Sequence, residues 1–98
     1  MLKRLAAMPY AHAFVSIDRN RIALVSYSTL VAEIVGGVLR VYGLYSMTTR
    51  RHIGAFVKEY AGITYQTAKF LCVNNLCMDI VTGDKWDAET GVVWEDKK

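Results

Sequence analysis

Three groups of residues in this 98-residue chain have types and spacing that chemistry can use. The first is Thr48-Thr49-Arg50-Arg51-His52. If a helix begins at Thr48 or Thr49, a hydroxyl caps one orphan N–H and Arg50, Arg51 and His52 fall in the first turn. The helix dipole disfavours cations there. Free N–H groups, two hydroxyls and two guanidinium groups would instead suit an anion. With Arg40 and Tyr42, the residues Thr49, Arg50, Arg51 and His52 form a candidate nucleic-acid site, because aromatic rings beside arginine stack on single-stranded bases. The plainer alternative is that the arginines splay into water at little cost.

The second group is the acidic, tryptophan-bearing tail: Asp79, Asp84, Trp86, Asp87, Glu89 and Trp94. Tryptophan is enriched at binding hot spots, so this is the candidate surface for a protein partner. The same residues also carry a small tandem pattern, D-x-x-T-G-x-x-W, over 79–86 and again over 87–94. Gly83 and Gly91 would supply positive φ in reverse turns that the Asp and Thr side chains hold. Turn chemistry accounts for these acids better than Mg²⁺ ligation does, and the two Trp rings would pin a hairpin to the body. The third group is Cys72 and Cys77 with His12 and His52, which lack metal-ligand spacing. Both cysteines are expected to be small buried hydrophobes, and no metal or cofactor is expected. No Walker loop, G-x-G-x-x-G or H-E-x-x-H occurs, so a non-enzymatic role is expected.

Length and composition fit a single α+β domain over residues 1–98, with 1–9 and 95–98 frayed. The hydrophobic fraction, 53%, is high for so short a chain, and a second copy or a partner would cover the surplus. Residues 1–60 carry eight Lys/Arg against three acids, whereas 61–98 carry four Lys against six acids. Such asymmetry marks a nucleic-acid or acidic-protein partner, or simply a solvated surface. Two cysteines and no apolar run of spanning length point to a reducing cytosol and no membrane partner. Lys3-Arg4 before a short apolar stretch imitates a signal peptide but lacks the length of an apolar core.

The elements that must position these groups centre on 24–62. Leu30–Val35 and Val38–Tyr42 flank Gly36-Gly37, which suits a type I′ turn. That loop sets Val35 opposite Val38, Ile34 opposite Leu39, Glu33 opposite Arg40 and Ala32 opposite Val41, so the hairpin's two charges meet. Leu30, Ala32, Ile34, Leu39 and Val41 form an apolar face, and Val31, Glu33, Val35, Val38, Arg40 and Tyr42 a mixed one. Ile53, Phe56, Val57 and Tyr60 form a helical stripe to cover the apolar face, and Gly62 ends that helix. His12–Ile17 and Ile22–Tyr27 are further strands. The second either turns at Ser26–Thr29 or runs on through Ser28 and Thr29 into Leu30–Val35, and one long bent strand is the preferred expectation. Met1–Met8 is expected to be a frayed helical turn. A short helix over Tyr65–Val73, capped by Thr64 or Thr67, turns Ala68, Leu71 and Cys72 inward and stops at Asn74-Asn75. The whole is an antiparallel sheet of three to five strands packed on one main helix, with a short second helix and a C-terminal hairpin.

The segment over residues 25–60, with SYSTLVAEI, Tyr45-Ser46, Thr48-Thr49-Arg50-Arg51-His52-Ile53 and Phe56, resembles a family of small uncharacterised proteins carried by bacteriophages, prophages and plasmids. That resemblance implies no activity. It implies a mobile-element setting inside a bacterial host cell, where small motif-free proteins often disable defence complexes, as anti-CRISPR proteins do. Acids serve such inhibitors as phosphate mimics, which singles out the Asp79–Asp96 tail. The leading expectation is therefore a protein-binding module, an inhibitor of a host protein complex, with a homodimer as a further option. A nucleic-acid-binding protein is the alternative.

Overall fold

Residues 1–95 are described in a computed structural model. Seven strands run in sequence order across one antiparallel sheet. They are β1 (Leu2–Arg4), β2 (Ala13–Ile17), β3 (Arg21–Ser26), β4 (Thr29–Val35), β5 (Val38–Val41), β6 (Leu76–Asp79) and β7 (Lys85–Asp87). Between β5 and β6 lie α1 (Met47–Tyr60) and α2 (Tyr65–Val73). The fold is the expected α+β sheet with a long and a short helix, but its strand count exceeds three to five.

The Gly-Gly hairpin has the expected register, residue for residue. Gly36 and Gly37 sit at φ +57° and +80°, the left-handed region that a type I′ turn needs at both positions. Both helices cover one face of the sheet only. Burial alternates along β5 and β6, so Leu39, Val41, Leu76 and Met78 face the helices while Val38, Arg40 and Cys77 face away. Ile53, Phe56 and Val57 of α1 and Ala68 and Leu71 of α2 close the core over Val15, Leu24 and Ile34. Tyr60 is only half-buried at its edge.

Four expectations are corrected. Val31 is fully buried rather than on the mixed face. Leu24 pairs Ala32 while Val25 pairs Leu30, so Val31 is the extra residue of a bulge that turns it inward beside Ala32. The expected long bent strand is instead a second hairpin, β3–β4, closed by Tyr27-Ser28 with Ser26 opposite Thr29. The N-terminal segment is an edge strand, not a frayed turn: Leu2, Lys3 and Arg4 pair Ser16, Val15 and Phe14, and Leu5 is fully buried. Finally, Ser46, not Thr48 or Thr49, caps α1, its hydroxyl accepting from the Thr49 N–H.

At the other ends the local signals agree with the structure. Gly62 is left-handed just past the Ala61 C-cap, Thr64 caps α2, and Asn75 takes φ +54° after it. The tandem pattern gives the same turn twice. The Asp79 Oδ1 accepts from the Val81 and Thr82 N–H groups, and the Asp87 Oδ1 from those of Glu89 and Thr90. Gly83 and Gly91 N–H donate to the Asp79 and Asp87 carbonyls. The fraying expected at the C-terminus falls mostly on residues 96–98, outside the described residues.

Candidate functional site

The helix cap decides the geometry of the basic group. Because Ser46 takes the cap, Met47, Thr48 and Thr49 form the first turn, and the Arg50 N–H is already bonded to the Ser46 carbonyl. Arg50 and Arg51 therefore sit one turn further on, where the dipole is weak. Arg50 and Arg51 border a groove between the helices with Gly54, Tyr65 and Lys69; Arg51 also borders a cleft that His52 reaches, while the His52 and Thr49 side chains are themselves buried. The expected cluster of Thr49, Arg50, Arg51 and His52 around one anion is not formed.

What His52 does instead was not legible in sequence. Its Nδ1 lies 2.8 Å from Ser26 Oγ, and Ser26 Oγ lies 3.1 Å from Thr49 Oγ1. The Ser46 O–H donates to Thr49 Oγ1 at 3.2 Å. Each direction along the chain leaves one buried donor unmet: the His52 Nε2–H if Thr49 passes its proton to Ser26 and Ser26 to Nδ1, the Thr49 hydroxyl if the chain runs the other way. Nε2 is buried and has no partner. Burial, with a smaller push from His12, lowers the His52 pKa below its ordinary 6.5, so the ring is neutral. Ser26 stands at general-base distance from an imidazole, but it is only 2% exposed, and a sealed hydroxyl cannot meet a substrate.

Above this chain lies a cleft of about 430 Å³. One wall is the loop 5–12, which its own Met8→Leu5 and Ala11→Met8 backbone bonds fold. The Ala6 N–H ties this loop to Glu59 of α1 at 3.0 Å. The other walls are Tyr27, Thr48, Arg51 and His52. The Tyr27 ring stacks on His12 at 5.5 Å and tilts over His52 at 6.1 Å. Its backbone is left-handed, φ +57°, an uncommon and strained state for a bulky residue.

The second candidate surface is the sheet face that no helix covers. One register row crosses all seven strands there: Leu2, Ser16, Ala23, Glu33, Arg40, Cys77 and Trp86. In the row beside it, Arg4 lies over the Phe14 ring at 5.0 Å, and Arg40 of the first row lies over the Tyr42 ring at 4.9 Å. Glu33 faces Arg40 across the ladder, as expected, but its ion pair is with Arg21 at 2.6 Å, and it also accepts from the Tyr42 O–H. Burial raises the Glu33 pKa, the Tyr42 and Arg21 hydrogen bonds outweigh it, and the net result is a lowered value. Arg40 and Tyr42 are therefore together on this face, remote from the helix start with which they were grouped.

The tail residues do not share a surface. Asp79 and Asp87 are occupied in turns, Trp86 is on the uncovered face, and Trp94 packs edge-on against Phe70 of α2 at 5.5 Å. Asp84 and Glu89 are exposed turn residues. Cys72 and Cys77 are half-buried free thiols, and burial pushes both pKa values up. Among the described residues no three His, Cys, Asp or Glu gather as metal ligands, and no helix is long and apolar enough to cross a membrane.

Fold and site together define an antiparallel meander with its helices on one face, a basic aromatic sheet surface on the other, and a buried histidine at one corner. Residues 4–71 match a family of unknown function (DUF8033), and the chain belongs to that family. The matched stretch holds Ser26, Tyr27, Ser46, Thr49 and His52 and ends inside α2, so β6, β7 and the tandem turns lie beyond it. No curated protein and no solved structure matches the chain.

Proposed function

We propose that this protein is a non-enzymatic binding module that lays single-stranded nucleic acid across the uncovered sheet face. The observation that supports this is the pair of guanidinium–ring contacts on that face, Arg4 over Phe14 and Arg40 over Tyr42, with Trp86 further along it. Bases stack on such rings without regard to sequence, while the guanidinium groups meet phosphates. Glu33 is neutralised by Arg21 and Asp79 stands at the edge of the face opposite Val38, so Arg4 and Arg40 leave the surface a positive balance. Trp86 supplies the assay. In a Trp94→Phe background, titration with an oligothymidylate quenches the remaining fluorescence as bases stack. Two free arginines give a log–log salt slope of about −1.4, and Arg40→Ala or Tyr42→Ala weakens binding. Unchanged fluorescence at low salt, or binding indifferent to both variants, refutes the reading.

A second reading keeps a protein partner, an inhibited host complex in the mobile-element setting that the resemblance implies. The observation in its favour is the tail, where Val81, Val92 and Val93 stand exposed near Asp84 and Glu89. Capture from a bacterial lysate with the native chain and a Val81→Lys/Val92→Lys chain in parallel tests it. A host protein lost by the variant supports the tail as the docking surface. Equal retention by both removes it.

A further inference from the structure

The corner cleft combines features that nothing in the open-face reading uses. Its lining carries no carboxylate. It offers the Arg51 guanidinium and the Thr48 hydroxyl at one end, beside the first turn of the 14-residue α1. Those are the elements of an oxyanion seat. Along the other side run Tyr10, His12 and Tyr27 over an apolar floor of Ala7, Met8 and Ala11. Tyr10 and Tyr27 are exposed, 95% and 55%, and present flat ring surfaces.

A helix start and a few donors are common and would by themselves mean little. The distinguishing feature is His52. Its ring is fully buried, borders the cleft, and has an Nε2 with no hydrogen-bond partner. Nδ1 is held against Ser26, which leaves Nε2 as the one ring nitrogen free to meet a ligand. A buried polar atom left unmet costs about as much as a full desolvation. The Tyr27 ring that tilts over His52 is itself exposed.

We propose that this cleft binds a nucleotide, its phosphate between Arg51, Thr48 and the start of α1, its base against Tyr27 and Tyr10, with a polar group of the base or sugar hydrogen-bonded to His52 Nε2. The site lies on the helix side of the sheet and stands independently of the open face. Two sources share this chemistry, a free mononucleotide and one residue of a strand.

The test is an NMR titration following the His52 and His12 imidazole nitrogens and the Tyr27 ring, with adenosine 5′-monophosphate, adenosine, inorganic phosphate and an oligoadenylate as separate probes. Saturable shifts of His52 Nε2 and Tyr27 with the monophosphate are expected, with weaker binding of adenosine and of phosphate alone. Arg51 is exposed, so Arg51→Ala folds; it should weaken the monophosphate about tenfold, with partial recovery in Arg51→Lys. His52→Gln, checked for folding by its amide spectrum, should abolish the Tyr27 shift. Arg40→Ala and Tyr42→Ala should leave the monophosphate untouched, which separates failure of this site from failure of the open face. A stronger shift with the oligoadenylate assigns the strand as the source, and a stronger shift with the monophosphate the free nucleotide. Resonances unmoved at millimolar monophosphate, or Arg51→Ala binding like the native chain, overturn the proposal.

Discussion

Ser26→Ala is the sharpest probe of the hydroxyl chain. The substitution deletes one oxygen and nothing else. That oxygen bridges His52 Nδ1 at 2.8 Å and Thr49 Oγ1 at 3.1 Å, and all three residues are buried. Two hydrogen bonds of about 1 kcal/mol each are lost, and the stranded imidazole nitrogen adds a desolvation penalty of the same order, giving about 3 kcal/mol in all. For a chain of this length that lowers Tm by on the order of 15 °C. Urea unfolding followed by Trp fluorescence measures it, with the slope m unchanged if the native fold is kept. Ser28→Ala, two residues on and exposed, is the control and should stay within about 0.5 kcal/mol of the native chain. Thr49→Val should be non-additive with Ser26→Ala by at least about 0.5 kcal/mol, because both act on one chain. A Ser26→Ala loss below about 1 kcal/mol would refute the relay.

Acid should weaken the fold through His52. Its folded pKa lies below the ordinary 6.5, so below that pH the unfolded chain takes up a proton that the folded chain refuses. Stability is full above about 6.5 and is lost as pH falls through the folded value; in His52→Gln that part of the curve should be flat, as pH-dependent denaturation can show. At position 27 the usual order of alanine and glycine should invert. Tyr27→Gly should be more stable than Tyr27→Ala by about 1 kcal/mol, since only glycine takes φ +57° without strain, and equal stabilities in thermal melts would count against strain there. Tyr42→Phe removes a donor to Glu33, so the Glu33 carboxyl should titrate higher than in the native chain by ¹³C NMR; an unchanged titration would mean that Arg21 alone sets it.

Elements whose local chemistry and tertiary role coincide were legible in the sequence. Gly36-Gly37 fixed a loop length, and the length fixed four cross-strand pairs. Thr64, Gly62 and Asn75 each marked an α-helix end by a property of the residue alone. The repeated Asp, Thr and Gly of the tail formed the same hydrogen bonds twice because those bonds are local. The misses share a different cause. Pairing of Leu2–Arg4 with β2 is non-local, and three exposed residues carry no alternation to announce it. The Val31 bulge shifts the faces of β4 without any special residue at the spot. The β3–β4 turn at Tyr27-Ser28 has neither Gly nor Asn, so a strand passing straight through was the reasonable expectation. Glu33 does face Arg40, but register gives only proximity; the guanidinium of Arg40 lies on the Tyr42 ring and leaves the carboxylate to Arg21. For the site, sequence supplied the residues but not the grouping. Ser26 and His52 are 26 positions apart, and the cap at Ser46 rather than Thr48 rotates the helix so that His52 faces inward and the arginines outward.

The places where local rules fail are not scattered. Two tyrosines take left-handed backbones, Tyr27 at +57° and Tyr45 at +48°. Each adjoins a serine of the hydroxyl chain, Ser26 in one case and Ser46 in the other. The buried Nε2 without a partner belongs to the residue at which that chain ends. Each such feature costs stability, on the order of 1–3 kcal/mol, and each is avoidable: glycine would relax the turns, and a leucine at 52 would remove the orphan nitrogen. The sheet gains nothing from them, since its register is already set by the Gly-Gly hairpin and its core by Leu24, Ile34, Leu39 and Phe56. Strain and an unmet ring nitrogen that serve no packing purpose, gathered within one hydrogen-bonded chain at the edge of a cleft, are physically consistent if a ligand completes that chain. The uncovered face, by contrast, has Glu33 compensated by Arg21 and two of its rings under guanidinium groups, as a surface does that meets many similar partners loosely.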